Sequence, residues 1–488
     1  MVSVKTRLGA VQGVDRGKLQ SFLGLPYAAP PVGDRRWRPP SPPGPWSGVY
    51  DATRYPNRAL QAPFPEALMP PGGIPGGTSE DMLYLNVHTP KADKKRRPVM
   101  VWIHGGGYTL GSANDFDPVA FVGQHDVVVV AINYRLGVFG FLDLSRFGPE
   151  YAGSASIGFQ DQIAAIRWVA DNIADYGGDP KNITICGGSA GAGSVVTLLA
   201  APTAKGLFQK AIAVSPLEVN PAPLDIVTPC ATALKMDEKA FFNHIKAMSG
   251  EELFKFQIDA GIGTSACVDG VIIVKSTAEA IKQRVNPVPL LVGCTQAEGP
   301  MLTEGVVLNL GSDPAVFAML EAGMSPNIGG GNAARYKTFL DKATEGGSLE
   351  DRLNRVWFDC FRSYVLRTAQ SMTDAGFNAW AYTFAVPTEH PHGPTHGSDV
   401  PFVFNSLDPK KDGELAYFYR NEARTRRIAD MWSKTMVRFM RSGNPNRWGM
   451  PSWPTYTAQR RACLVLKDQP AIVNNPDGNE ALAAYGLS

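Results

Sequence analysis

Asn182-Ile183-Thr184-Ile185-Cys186-Gly187-Gly188-Ser189-Ala190-Gly191-Ala192-Gly193-Ser194-Val195-Val196 decides how this chain is read. The mostly apolar run ending at Cys186 reads as a buried strand, and the small and apolar residues from Ala190 to Ala200 read as a helix. Between them stands a Gly-x-Ser-x-Gly turn, Gly187 to Gly191. A serine at so tight a strand-to-helix turn takes a strained backbone that lifts its hydroxyl clear of the strand. Flanking glycines leave room for the helix and strand to cross closely. The helix N-terminus just behind the serine offers unpaired N–H groups to a developing negative charge. A glycine-rich loop with an incidental serine would have the same composition, so the pentapeptide needs support from elsewhere.

That support lies upstream. Pro98-Val99-Met100-Val101-Trp102-Ile103 is another buried-strand pattern, and it runs into His104-Gly105-Gly106-Gly107-Tyr108. Three successive glycines expose main-chain N–H groups that no side chain can shield. The amides of Gly106, Gly107 and Ala190 are therefore the candidate oxyanion hole, and one such donor is worth about 3–4 kcal/mol. A triglycine can also cradle a phosphate, but no G-x-x-x-x-G-K-[ST] pattern occurs. His104 reads as a structural brace for this loop.

Further landmarks accompany the two motifs in order. They are Phe22-Leu23-Gly24-Leu25-Pro26-Tyr27-Ala28-Ala29-Pro30 with Arg36-Trp37, then Ser79-Glu80-Asp81-Met82-Leu83-Tyr84-Leu85-Asn86-Val87. Asp161-Gln162, Tyr176-Gly177-Gly178-Asp179-Pro180, Val268-Asp269-Gly270 and Gly443-Asn444-Pro445-Asn446 follow. With them the sequence resembles the type B carboxylesterase/cholinesterase family nearly end to end. The resemblance implies an α/β-hydrolase fold: a central, mostly parallel twisted sheet with helices on both faces and a helical cap. It also assigns an acid and a base. Glu298, in Cys294-Thr295-Gln296-Ala297-Glu298-Gly299, falls on the family's catalytic acid. His396, in Gly393-Pro394-Thr395-His396-Gly397-Ser398-Asp399, falls on its base. The order Ser189, Glu298, His396 agrees with the chain order of such hydrolases. Without the resemblance Glu298 reads as an ordinary surface carboxylate.

Three positions depart from the family pattern. Gly188 stands where a glutamate is usual, Met82 replaces a cysteine that commonly forms a disulfide, and Ser215-Pro216-Leu217-Glu218 replaces a serine-glycine-serine-like run. Tyr108 and Glu218 are the candidate substrate-pocket residues. Glu218 would favour a cationic or hydrogen-bonding substrate, or else face solvent. His390 and His392 lie close to His396, but their spacing across two prolines is not a helical H-E-x-x-H pattern and no carboxylate or cysteine cluster adjoins them. No metal or organic cofactor is expected.

Composition agrees with one large enzyme. The chain has 488 residues, 44% of them hydrophobic, and a formal net charge of +2. That charge gives no reason to expect a nucleic-acid or membrane partner. Six cysteines without C-x-x-C spacing and an N-terminus without an apolar leader point to a reduced, cytoplasmic protein. Strands are expected near residues 98–104, 126–133, 182–186, 209–215, 288–294, 377–384 and 462–467, and helices over 158–175, 190–201, 350–373 and 415–441. A single domain over 1–488 is expected, with a Pro/Gly-rich flap around 62–77 and cap-like insertions around 300–375. The expected activity is that of a serine carboxylesterase acting on a small-molecule ester through an acyl-enzyme. A carbamate or aryl-amide hydrolase with the same triad is the alternative, and a non-catalytic neuroligin-like binding protein is the remote one.

Overall fold

In the computed structural model the near-continuous apolar runs become strands. It describes residues 1–63, 73–115, 117–408, 419–420 and 422–487. Most of the flap expected around 62–77, and residues 415–418 and 421 of one expected helix, lie outside them. The chain divides into two units: Met1–Ala211 with Val219–Pro287, and Ile212–Glu218 with Val288–Ser488.

The first unit is built on β1 (Val2–Thr6), β2 (Gly9–Asp15), β3 (Gln20–Pro26), β4 (Val49–Asp51), β5 (Tyr84–Thr89), β6 (Arg97–Ile103), β7 (Val128–Ile132) and β8 (Gly178–Gly188). Their order is β1-β2-β3-β5-β7-β6-β8, with β4 beside β2. The pairs from β1 to β7 through β5 are antiparallel, whereas β6 runs parallel to both β7 and β8. The parallel centre is where the sequence is continuously apolar, because both faces are covered. Val128 to Ile132 and Ile183 to Cys186 are fully or almost fully buried. Two helices matter for the site: α1 (Ile157–Asn172) and α2 (Ala190–Leu198). Gln162 of α1 donates to Ser194 Oγ of α2 at 3.0 Å. Asp161 takes a two-pronged guanidinium contact from Arg135 at 2.7 Å, with both side chains buried. These polar pairs fix α1 against the loop after β7 and against α2.

β9 (Lys210–Val214) carries the chain from the first unit into the second. There β10 (Leu290–Thr295), β11 (Ala379–Phe384) and β12 (Ala462–Leu466) pair in parallel, and β13 (Ala471–Asn474) closes antiparallel on β12. The unit's helices include α3 (Gly299–Leu310), α4 (Pro314–Ile328), α5 (Ala333–Ala343), α6 (Leu349–Asp374), α7 (Val400–Phe404) and α8 (Ala423–Ser442). The long α6 starts at a capping box made by Ser348 and Asp351 and packs on β10 and β11. No helix among the described residues is long and apolar enough to cross a membrane.

Candidate active site

In the first unit the Gly-x-Ser-x-Gly turn is the strained turn its sequence implies. β8 ends at Gly188, α2 begins at Ala190, and Ser189 between them has φ 57° and ψ −126°. For a side chain other than glycine this is costly backbone, held only because the surroundings over-determine it. The neighbouring glycines explain how. A Cβ on Gly191 would lie 2.0 Å from the Ile103 carbonyl oxygen of β6, and one on Gly187 would lie 2.4 Å from the Gly191 oxygen. Helix and strand cross at a separation that excludes a methyl group. The amides of Ala190, Gly191 and Ala192 fall in the first turn of α2, ahead of the first intrahelical bond, Gly193 N–H to Ser189 oxygen at 2.8 Å.

The triglycine loop lies against this turn. A Cβ on Gly105 would meet the Gly188 oxygen at 2.7 Å and Ser189 Cβ at 3.0 Å. Gly106 and Gly107 have φ of 102° and 60°, and a Cβ on Gly106 would strike the Leu110 oxygen at 2.1 Å. These conformations are open to glycine at low cost. His104 braces the loop: its ring stacks on Tyr134 at 4.4 Å, and the Tyr134 hydroxyl donates to the His104 carbonyl at 2.9 Å. Burial pushes the His104 imidazole down to about 4, so it is neutral near pH 7. Gln61 clamps the loop's far end, accepting from Gly111 N–H at 2.8 Å and donating to the Gly111 oxygen at 3.0 Å. Nothing in the local sequence marks Gln61 for this task. Tyr108 is buried, with its ring against Phe141 and Phe159.

The second unit brings Glu298 and His396 together. Glu298, with 0% exposure, stands at the head of α3 immediately after β10. Its Oε1 accepts from the Ser215 hydroxyl and from Thr295 N–H, both at 2.6 Å, while Oε2 is hydrogen-bonded to His396 Nδ1. A carboxylate on Nδ1 fixes that nitrogen as the donor and leaves Nε2 for another proton. The two loops are joined by the bridge Ala297–Thr395 and by Met301 N–H to Thr395 Oγ1 at 3.0 Å. The His396 ring rests on Phe361 at 4.6 Å. Ser215, at φ 56° just after β9, was legible only as part of a departure from the family pattern. Its link to Glu298 spans 83 residues and leaves no local signal.

The remaining candidates fall as follows. Glu218 is held by Arg367 at 2.6 Å, so its charge is already compensated. His390 is buried, accepts His392 N–H on Nδ1 at 3.1 Å and turns Nε2 to Glu304 at 3.3 Å. Among the described residues no group of three or more His, Cys, Asp or Glu side chains could hold a metal ion.

A sequence profile of the Carboxylesterase family matches residues 1–483. The chain belongs to that family. It is 31% identical over 502 residues to the para-nitrobenzyl esterase of Bacillus subtilis, an alignment that covers 98% of this chain and 97% of that one. It is 32% identical over 514 residues to the human cocaine esterase, covering 95% and 86%. A crystal structure of a Geobacillus stearothermophilus carboxylesterase at pH 6.8 superimposes with a TM-score of 0.84 at 33% identity, covering 99% of this chain and all of that one. This carboxylesterase thus has the α/β-hydrolase fold and is a carboxylic ester hydrolase.

Proposed function

We propose that this esterase works by two-step acyl transfer, with Ser189 as nucleophile, His396 as general base and acid, and Glu298 as the group that orients the imidazole. Ser189 Oγ forms the bond to the carbonyl carbon while its proton passes to His396 Nε2. The amides of Gly106, Gly107 and Ala190 receive the oxyanion. The imidazolium then protonates the departing alcohol. Water, giving its proton to the same nitrogen, releases the acid and restores the serine. Glu298 keeps its negative charge throughout. The observation that carries the reading is the buried Glu298–His396 pair, with the carboxylate held on its other oxygen by two donors. The strained Ser189 beside Gly105 supports it from the first unit.

Tyr108 and Glu218 stay candidates for the substrate pocket. Glu218 would meet a substrate as half of an ion pair with Arg367, which favours a neutral ester over a cationic one. The helices within residues 299–374 are the cap in this reading, and the six free thiols favour a reducing compartment, the cytoplasm. The test is Ser189→Ala: turnover of a chromogenic short-chain ester and labelling by a fluorophosphonate should both vanish while the thermal melt is unchanged. Retained turnover would overturn the assignment. Relative kcat/KM for matched ester, carbamate and anilide substrates defines the leaving-group preference.

A further inference from the structure

Three residues beyond His396, on the same loop, Asp399 is fully buried just ahead of α7. Its surroundings differ sharply from those of Glu298. Glu298 accepts from a hydroxyl, an amide and an imidazole. Asp399 accepts on Oδ2 from the Tyr382 hydroxyl at 3.0 Å, and its Oδ1, equally buried, has no hydrogen-bond partner. An ionised carboxylate with one oxygen undonated and out of water is expensive, whereas a protonated one is not. Two carboxyls in one pocket with such unequal donor sets take different protonation states.

We propose that Asp399 is a positioning residue acting through His396: a carboxyl that stays protonated in the resting acid form of the enzyme and, on ionising, adds a second negative charge near the imidazole. This rests on the reading of His396 as the base. Burial, reinforced by the Glu298 carboxylate, pushes Asp399 up to about 7, against the pull of the Tyr382 hydroxyl, of His396 and of its own backbone N–H. Among the described residues, the other elements around it bring no competing charge. Arg362 of α6 reaches the Tyr382 carbonyl but is committed to Asp477 at 2.7 Å. The buried face of α8, which packs on α7, carries Ile428, Trp432, Ser433 and Met436.

The consequence has a definite sign. A second negative charge favours the imidazolium, so it delays loss of the imidazole's proton as pH rises. In the wild-type enzyme the acid limb of kcat/KM therefore belongs to the pair and is spread over two coupled ionisations. Asp399→Asn keeps a side chain that can meet the Tyr382 hydroxyl and removes the charge. Its acid limb should move to lower pH by about half a unit or more and steepen to a single ionisation, so that its activity at pH 6, relative to its own plateau, rises about two- to threefold. Tyr382→Phe removes the donor that favours the carboxylate, keeps Asp399 protonated to higher pH, and should move the limb the same way by less.

The infrared spectrum gives a readout independent of catalysis. In the wild-type-minus-Asp399→Asn difference spectrum a protonated-carboxyl stretch should be present at acid pH and lost as pH rises through neutrality. A normalised Asp399→Asn profile that superimposes on the wild type, or moves to higher pH, would overturn the proposal. If that variant does not fold, an unmoved limb in Tyr382→Phe overturns it instead. Full activity of His396→Ala would sink the assignment of the base, and the infrared band would still report on Asp399.

Discussion

At the residue scale, Ser215 adds a support beyond the proposed triad. Its hydroxyl donates to a fully buried carboxylate oxygen at 2.6 Å, and hydrogen bonds to charged acceptors are the strong class. Removing it leaves Oε1 of Glu298 with one donor, and weakens the support Glu298 gives to an imidazolium formed during turnover. Ser215→Ala should therefore lower kcat about tenfold, ~1.5 kcal/mol, with KM nearly unchanged. Steady-state kinetics at pH 8 on a neutral ester checks this, and an unaltered kcat would show Thr295 N–H to be sufficient. The roles that sequence alone left unread are of this kind. Ser215, Gln61 and Asp399 act through partners that belong to other elements, so no spacing rule reaches them. Ser189, by contrast, announces itself because its strain demands glycines at fixed offsets.

At the element scale, the crossing of α2 over β6 sets the geometry of Ser189, the proposed nucleophile. The Gly191 hydrogen faces the Ile103 carbonyl, and a methyl group there would sit 2.0 Å from a backbone atom that cannot swing away. Gly191→Ala should cost about 3 kcal/mol in urea unfolding, by displacing α2. Gly123→Ala is the control, since its nearest neighbour would be Lys18 Cβ at 3.9 Å; it should be neutral or stabilising by up to about 1 kcal/mol. Equal losses in the two variants would contradict the close-crossing argument. The elements themselves were legible where burial is two-sided. The expected strands at 98–104, 126–133, 288–294 and 377–384 match β6, β7, β10 and β11 within about two residues. Of the antiparallel edge, β2 and β4 were not read: β2 alternates between half-buried and buried positions before an exposed end, and β4 is three residues long. Such segments carry too little apolar surface to stand out. β8 also begins earlier than its apolar core, at Gly178, which pairs with Arg97 ahead of a register shift that brings Ile183 opposite Val99.

For the whole molecule, buried titratable groups of opposite kind shape the response to acid. Burial pushes His88 down to about 3, aided by Arg16, and His104 down to about 4. Both must gain protons on unfolding, so the stability they contribute is complete above about pH 6.5 and declines as pH falls. Burial pushes Asp115 up to about 6 and, with help from Glu298, Asp399 up to about 7. These carboxyls lose protons on unfolding, so their share declines as pH rises from about 4 and levels off above their folded values. Between roughly pH 4 and 6 the two sets oppose each other. His88→Gln removes one imidazole and should tilt stability against pH, relative to the parent, by about 1.4 kcal/mol per pH unit in that window. Urea midpoints from pH 4 to 7 measure it; parallel curves would mean that His88 is already protonated in the folded chain. One feature of the second unit reaches further. Glu298 immediately precedes a rod twelve residues long, about 18 Å, whose far end presents Leu308 with 84% of its surface bare. A stiff rod turns a push at its tip into a displacement at its root, so any surface, tether or fused domain that grips Leu308 also holds a lever on Glu298.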